Sequence, residues 1–199
     1  MSGIVQRVLD LRDEARGEAT ASHLMAAVLR EAGVIVPEPV ELVRRCVVCG
    51  SSDHGKPEVP AALAAGVHVS VAHTRTRIHV AAARGPVGVD VEEVDAVAAH
   101  PVADVLLSPA ERAAGHPLDA ESLTRTWVRK EALLKATGHG LHVPPAAITL
   151  SLPGAGEPRL LAWEGPGPVP VVADWSEDLS FGGQLPTALS SAVVLAPVG

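Results

Sequence analysis

At 199 residues, 47% hydrophobic and with a formal net charge of −7, the chain is long enough for one domain or two small ones and too apolar to be disordered. The acidic balance argues against a nucleic-acid partner, and no apolar run approaches the ~20 residues needed to cross a bilayer. The segment Met1 to Arg7 lacks the apolar centre of a secretory signal, so a cytoplasmic protein without a membrane partner is expected.

Aromatic residues make up 2% of the chain, with no Tyr and one Phe, so the core must be built from Val, Leu, Ile and Ala. Residues 1–85 hold ten Lys/Arg against nine Asp/Glu, whereas residues 86–199 hold six against fourteen. This change coincides with the turn Arg84-Gly85-Pro86 and puts a boundary between an N-terminal subdomain, 1–86, and a C-terminal one, 87–199.

Taken in order, residues 8–33 carry a helical pattern: Leu24, Val28 and Leu29 share a face that Met25 and Ala32 extend, and Gly33 ends it. Arg7, Arg12 and Arg16 precede that stripe and read, by themselves, as solvated surface arginines. After Pro37 and Pro39, residues 40–48 read as a helical turn followed by a strand. Cys46, Cys49 and His54 offer three zinc ligands where a structural site uses four. His68 or His73 would have to complete it, and two reduced, unpaired cysteines at a strand end are the simpler expectation. Gly55-Lys56-Pro57 predicts a tight loop that fixes the Lys56 ammonium, a point charge suited to phosphate.

Residues 67–74 alternate as a strand, and residues 78–83 form a second strand that turns at 84–86 toward a third, a plausible hairpin. In that third strand Val89 and Val91 alternate with Asp90 and Glu92, which sets two carboxylates on one face. Adjacent like charges repel unless neutralised, and a hard divalent cation with oxygen ligands would do so. A solvated acidic strand edge is the other reading.

Residues 97–107 read as helical, and Ser108-Pro109-Ala110-Glu111 has the form of a capped helix start. From Trp127 the chain is rich in helix formers, with Gly138 and Gly140 as the stop. Trp127, Glu131 and Lys135 fall at i, i+4 and i+8 on one face. Alone, Glu131 and Lys135 make an ordinary helix pair worth roughly 0.2–0.5 kcal/mol. Beyond Pro144 and Pro145, residues 148–152, 159–163, 169–175 and 189–195 read as strands separated by Gly/Pro turns.

The pair Gly88-Val89-Asp90-Val91-Glu92 and, some forty residues on, Trp127-Val128-Arg129-Lys130-Glu131-Ala132-Leu133-Leu134-Lys135 resembles the phosphopantetheinyl transferases. The likeness is to the surfactin-synthetase-activator type (group II), which carries a Gly-x-Asp-x-Glu strand and a Trp-x-x-Lys-Glu-Ala-x-x-Lys helix. The resemblance implies an α+β fold of two similar α/β subdomains related by a pseudo-twofold, with coenzyme A and a metal in the cleft between them. It implies transfer of the 4'-phosphopantetheine arm of coenzyme A to a serine of an apo acyl or peptidyl carrier protein, with release of adenosine 3',5'-bisphosphate. The acceptors expected are carrier domains of polyketide synthases or nonribosomal peptide synthetases, and a monomer is expected.

Carried over residue by residue, Asp90, Glu92 and Glu131 are the Mg²⁺ ligands, with Mn²⁺ as an alternative, and Glu131 and Lys135 are catalytic. Coenzyme A would be held by Lys56, Pro57, His73, Thr74, Arg12, Arg16 and Lys135. The family's Ser108-type segment meets the carrier protein. Two positions depart from the family pattern: Ala72 stands where a Ser is usual and Ser70 where an Asn is usual, leaving one hydroxyl donor fewer for phosphate. A degenerate module that binds coenzyme A or a carrier protein without catalysis is therefore the competing expectation. Another Mg²⁺-dependent phosphoryl transferase is a third, although no Gly-x-x-x-x-Gly-Lys-Ser/Thr loop is present.

Overall fold

The computed structural model describes residues 3–10, 18–46, 48–181 and 186–196. Within them the chain forms β1 (Val5–Asp10), α1 (Glu18–Glu31), β2 (Val43–Arg45), β3 (Lys56–Glu58), α2 (Pro60–Ala64), β4 (His68–His73) and β5 (Arg77–Ala83). There follow β6 (Val87–Glu93), α3 (Val94–Ala98), α4 (Ala103–Leu106), α5 (Pro109–Ala113), α6 (Ala120–Thr137), β7 (Ile148–Leu150), β8 (Leu160–Trp163), β9 (Val172–Phe181) and β10 (Ala188–Leu195). The content is mixed helix and strand, the α+β class the sequence suggested.

Two three-stranded antiparallel sheets dominate, ordered β1-β5-β4 and β6-β10-β9. The first is covered by α1, whose Met25, Val28 and Leu29 join Val67, Val69, Ile78 and Val80 in one apolar cluster. The second is covered by α6, whose Leu133, Leu134 and Ala136 pack with Ile148, Leu150, Trp163 and Val193. Between the sheets lies a layer of small side chains, among them Ala72, Ala81, Val87, Val89 and Ala192. With so few aromatics, close approach of backbones replaces bulky anchors as the source of contact area.

Three expectations are corrected. The helical reading of residues 8–33 overlooks β1, a strand that pairs antiparallel with β5 in the register Val5↔Ala82 to Asp10↔Arg77; a partner seventy residues away is invisible to local periodicity. The strands at 78–83 and 87–93 do not form a hairpin. β6 crosses into the other sheet and pairs with β10 (Asp90↔Ser191), while β5 stays between β1 and β4. Residues 97–107 are not one helix, since α3 and α4 are separated around Pro101, which cannot continue a helix that reaches it. No helix among the described residues is long and apolar enough to cross a membrane.

Candidate active site

The site forms where α6 crosses β6. A Cβ built on Gly88 would lie 1.9 Å from the Ala132 carbonyl oxygen and 2.4 Å from the Ala136 nitrogen, so only glycine permits this approach. The helix therefore rests directly on the strand, with Ala132 and Ala136 as its contact face. Two residues beyond Gly88 on the strand and one before Ala136 on the helix, Asp90 and Lys135 meet: Lys135 Nζ donates to Asp90 Oδ1 at 2.6 Å. The helix is set in place at both ends. The Asp119 side chain accepts from the Ser122 N–H, and Gly138 closes the C-terminus in the left-handed region at φ 82°.

Asp90 is 4% exposed, and its second oxygen, Oδ2, is buried without a hydrogen-bond partner among the described residues. Burial raises its pKa, against the pull of the Lys135 ammonium. Burial and the Asp90 charge push Glu131, 9% exposed, up to about 7, and Glu92 also up to about 7. Lys135 is pulled down by burial, but Asp90, Glu131 and Glu92 outweigh that and raise it. One ammonium thus faces three carboxylates, and the excess negative charge calls for protons or a second cation.

The orphaned Asp90 oxygen and the all-oxygen donor set fit a hard divalent ion. Asp90, Glu92 and Glu131 are not gathered within 4.8 Å of one another; among the described residues Cys46, Cys49 and His54 reach that closeness.

A pocket of about 310 Å³ opens beside this crossing and is lined by Lys56, Pro57, Ser70, Glu131 and Lys135 among others. Lys56 begins β3 instead of sitting in a loop. Its Nζ donates to the Ala136 carbonyl at 2.9 Å, and burial lowers it to about 8. Ser70 Oγ accepts the Val89 N–H at 3.1 Å, so β4 and β6 are joined next to the acidic residues. Ala72 is 4% exposed and belongs to the apolar layer between the sheets. The departure from Ser at that position therefore sits in packing instead of on the pocket wall.

The remaining expected residues lie elsewhere. His73 is exposed at the end of β4. Thr74 Oγ1 donates to Glu93 Oε1 at 3.2 Å and caps the turn by accepting the Thr76 and Arg77 N–H groups. Thr76 also donates to Glu93 at 2.7 Å, and these hydroxyls, Thr76 foremost, with Arg75 hold Glu93 below the usual carboxylate range. Neither His73 nor Thr74 lines the pocket. Arg12 and Arg16 fall outside the described residues.

A family model described as the 4'-phosphopantetheinyl transferase superfamily matches residues 86–188, a span that runs from the start of β6 through α6 to the start of β10. The chain belongs to the 4'-phosphopantetheinyl transferase superfamily. No curated protein matches it. The family uses coenzyme A as donor, acts on carrier protein domains, and typically employs a divalent metal.

Two positions beside the site escaped the sequence reading. Lys130, the lysine next to Glu131 in the transferase motif, is 0% exposed. It donates to the Leu106 carbonyl (2.7 Å), Glu111 Oε2 (2.7 Å) and the Pro145 carbonyl (3.1 Å). Glu111 in turn accepts the Ser108 and Leu150 N–H groups and completes the capping box of α5. Lys130 thus ties α5 to α6 and holds the acidic helix in register. His139 lines the pocket and keeps a buried, unpartnered Nδ1. Its signal in the sequence is its place between Gly138 and Gly140, directly after the helix stop.

Proposed function

We propose that this chain transfers the 4'-phosphopantetheine arm of coenzyme A to a serine of an apo carrier protein, as a transferase of the surfactin-synthetase-activator type. The observation that carries the reading is the 2.6 Å contact of Lys135 with buried Asp90, made at the Gly88 crossing and flanked by Glu131 on the pocket wall. Those residues are the ones the two motifs share.

In the reaction the serine oxygen attacks the β-phosphorus of coenzyme A, and the bond to adenosine 3',5'-bisphosphate breaks. Glu131 is positioned on the pocket wall to take the serine proton, directly or through a water. Lys135 presents its ammonium where negative charge grows on the phosphate oxygens. Mg²⁺, or Mn²⁺ in its place, would be held by Asp90, Glu92 and Glu131 and supplies positive charge to the pyrophosphate. Lys56 and Pro57 line the same pocket and bind the adenosine end, with Arg12, Arg16 and the exposed His73 as further coenzyme A contacts. Thr74 contributes by fixing the β4–β5 turn. The cleft lies between subdomains 1–86 and 87–199. The acceptors are carrier domains of polyketide or nonribosomal peptide assembly, and the working form is a cytoplasmic monomer.

The test is the intact mass of an apo carrier protein incubated with the chain, coenzyme A and Mg²⁺, with and without a chelator. A gain of one phosphopantetheine, lost with chelator, is expected. No gain across several carrier types, with coenzyme A still bound, would replace this reading with the degenerate binding module.

A further inference from the structure

Away from the acidic crossing, the loop between β2 and β3 brings together Cys46, Cys49 and His54. One potential ligand atom from each lies within 4.8 Å of the others. Cys49 Sγ and His54 Nε2 are 3.4 Å apart, and both cysteines are free thiols. We propose that Cys46, Cys49 and His54 bind one Zn²⁺ ion, leaving a fourth position open beside the pocket.

The ligand set is two sulfurs and one imidazole, the soft-to-borderline donors that zinc selects and Mg²⁺ does not. The loop is preformed around Cys46. The Gly50 N–H donates to the Cys46 carbonyl at 2.9 Å, and the Cys46 N–H donates to the Ser51 carbonyl at 2.9 Å. The N–H groups of Cys49 and Val48 also approach the Cys46 sulfur, so backbone groups of the loop already converge on that ligand atom. Three protein ligands are one fewer than a closed structural site uses. Neither His68 nor His73 joins the cluster. Cys46 and His54 both border the pocket, so the remaining position belongs to water or to a group of the bound donor.

The ion has a mechanical consequence. The loop it closes leads directly into Lys56 and Pro57, and Arg44 already spans it by donating to the Gly55 carbonyl at 3.1 Å. Zinc would therefore fix the part of the pocket lining that Lys56 and Pro57 supply.

The site can be tested on the intact chain without reference to transfer activity. Metal-free protein is titrated with Zn²⁺ and with Co²⁺. One equivalent is expected, with a thiolate-to-cobalt charge-transfer band and the visible bands of tetrahedral cobalt. Cys49→Ser and His54→Ala alter exposed residues and should fold normally while weakening binding at least about tenfold. Asp90→Ala should bind Zn²⁺ as the parent does, which separates this site from the carboxylates. Three results would overturn the proposal: less than about a tenth of an equivalent bound, unchanged affinity in both loop variants, or a Cys46–Cys49 disulfide in place of bound metal in freshly purified protein.

Discussion

The Gly88 Cα faces the Ala132 carbonyl oxygen at a distance that leaves no room for a methyl group: a Cβ would stand 1.9 Å from that oxygen. The closeness of strand and helix at this point is what carries Lys135 to Asp90. Gly88→Ala must push α6 outward, and overpacking of this kind costs about 1–3 kcal/mol. Transfer activity should fall by more than the stability does, at least about a hundredfold, because charged groups misplaced by an ångström lose most of their effect. Thermal unfolding and a carrier-protein mass assay on the same preparation check both. A variant with parental activity would show that the crossing does not set the site.

Asp90→Ala and Glu131→Ala should each reduce transfer by about a hundredfold to a thousandfold or more while the fold survives. Survival is expected because Lys135, 31% exposed at its side chain, can turn to solvent when Asp90 is gone. Removing Glu131 also relieves repulsion with Asp90. Circular dichroism with the mass assay in excess Mg²⁺ tests this, and normal turnover by both variants would contradict the assignment.

The paired carboxylates give the metal-free protein a pH dependence with a definite sign. Glu92 and Glu131 rise from an ordinary 4.5 to about 7, so the folded state holds their protons more tightly than the unfolded state. Their contribution to stability is complete below pH 4.5 and is lost as pH rises to about 7. For Glu131 the loss is on the order of 3 kcal/mol at most. Melting temperatures in chelator should fall between pH 5 and pH 8, and Mg²⁺ should restore more stability at pH 8 than at pH 5. Equal stabilisation by Mg²⁺ at both pH values would count against a shared carboxylate site.

Lys130 and Lys135 sit five residues apart in one motif and should behave oppositely. Lys130→Ala leaves the Glu111 carboxylate buried without its ammonium, a loss of about 3–5 kcal/mol. Lys135→Ala should cost far less stability but most of the transfer rate. Urea denaturation beside steady-state kinetics separates the two. If Lys130→Ala were as stable as the parent, the tie between α5 and α6 would not matter to the fold.

Lys56→Gln removes a buried ammonium from the pocket wall and, with it, the 2.9 Å bond to the Ala136 carbonyl. The KM for coenzyme A should rise by about tenfold with kcat little changed, the pattern of lost ground-state binding. A fall in kcat with constant KM would instead place Lys56 among the reacting groups.

Local sequence was enough for α6 from Trp127 onward, its Gly138 stop, the Ser108 capping box and the strands β4, β5, β6 and β10, though not for the start of α6 at Ala120. Each depends on periodicity or on backbone groups satisfied within a few residues. The two motifs named the family because a Gly-x-Asp-x-Glu strand and a Lys-Glu-bearing helix are specific as a pair. What no local pattern held was the pairing of β1 with β5 and of β6 with β10, the burial of Lys130 and the removal of Thr74 to Glu93. Nor did it hold the place of Ala72 between the sheets. These depend on which surfaces meet across long stretches of chain. Cys46, Cys49 and His54, by contrast, span only nine residues of one loop; they were legible as a ligand group, and the fold added their closeness and the place of Cys46 and His54 at the pocket. Strand partners, close approaches such as Gly88 on Ala132, and the sharing of one ammonium among three carboxylates are decided by packing in three dimensions.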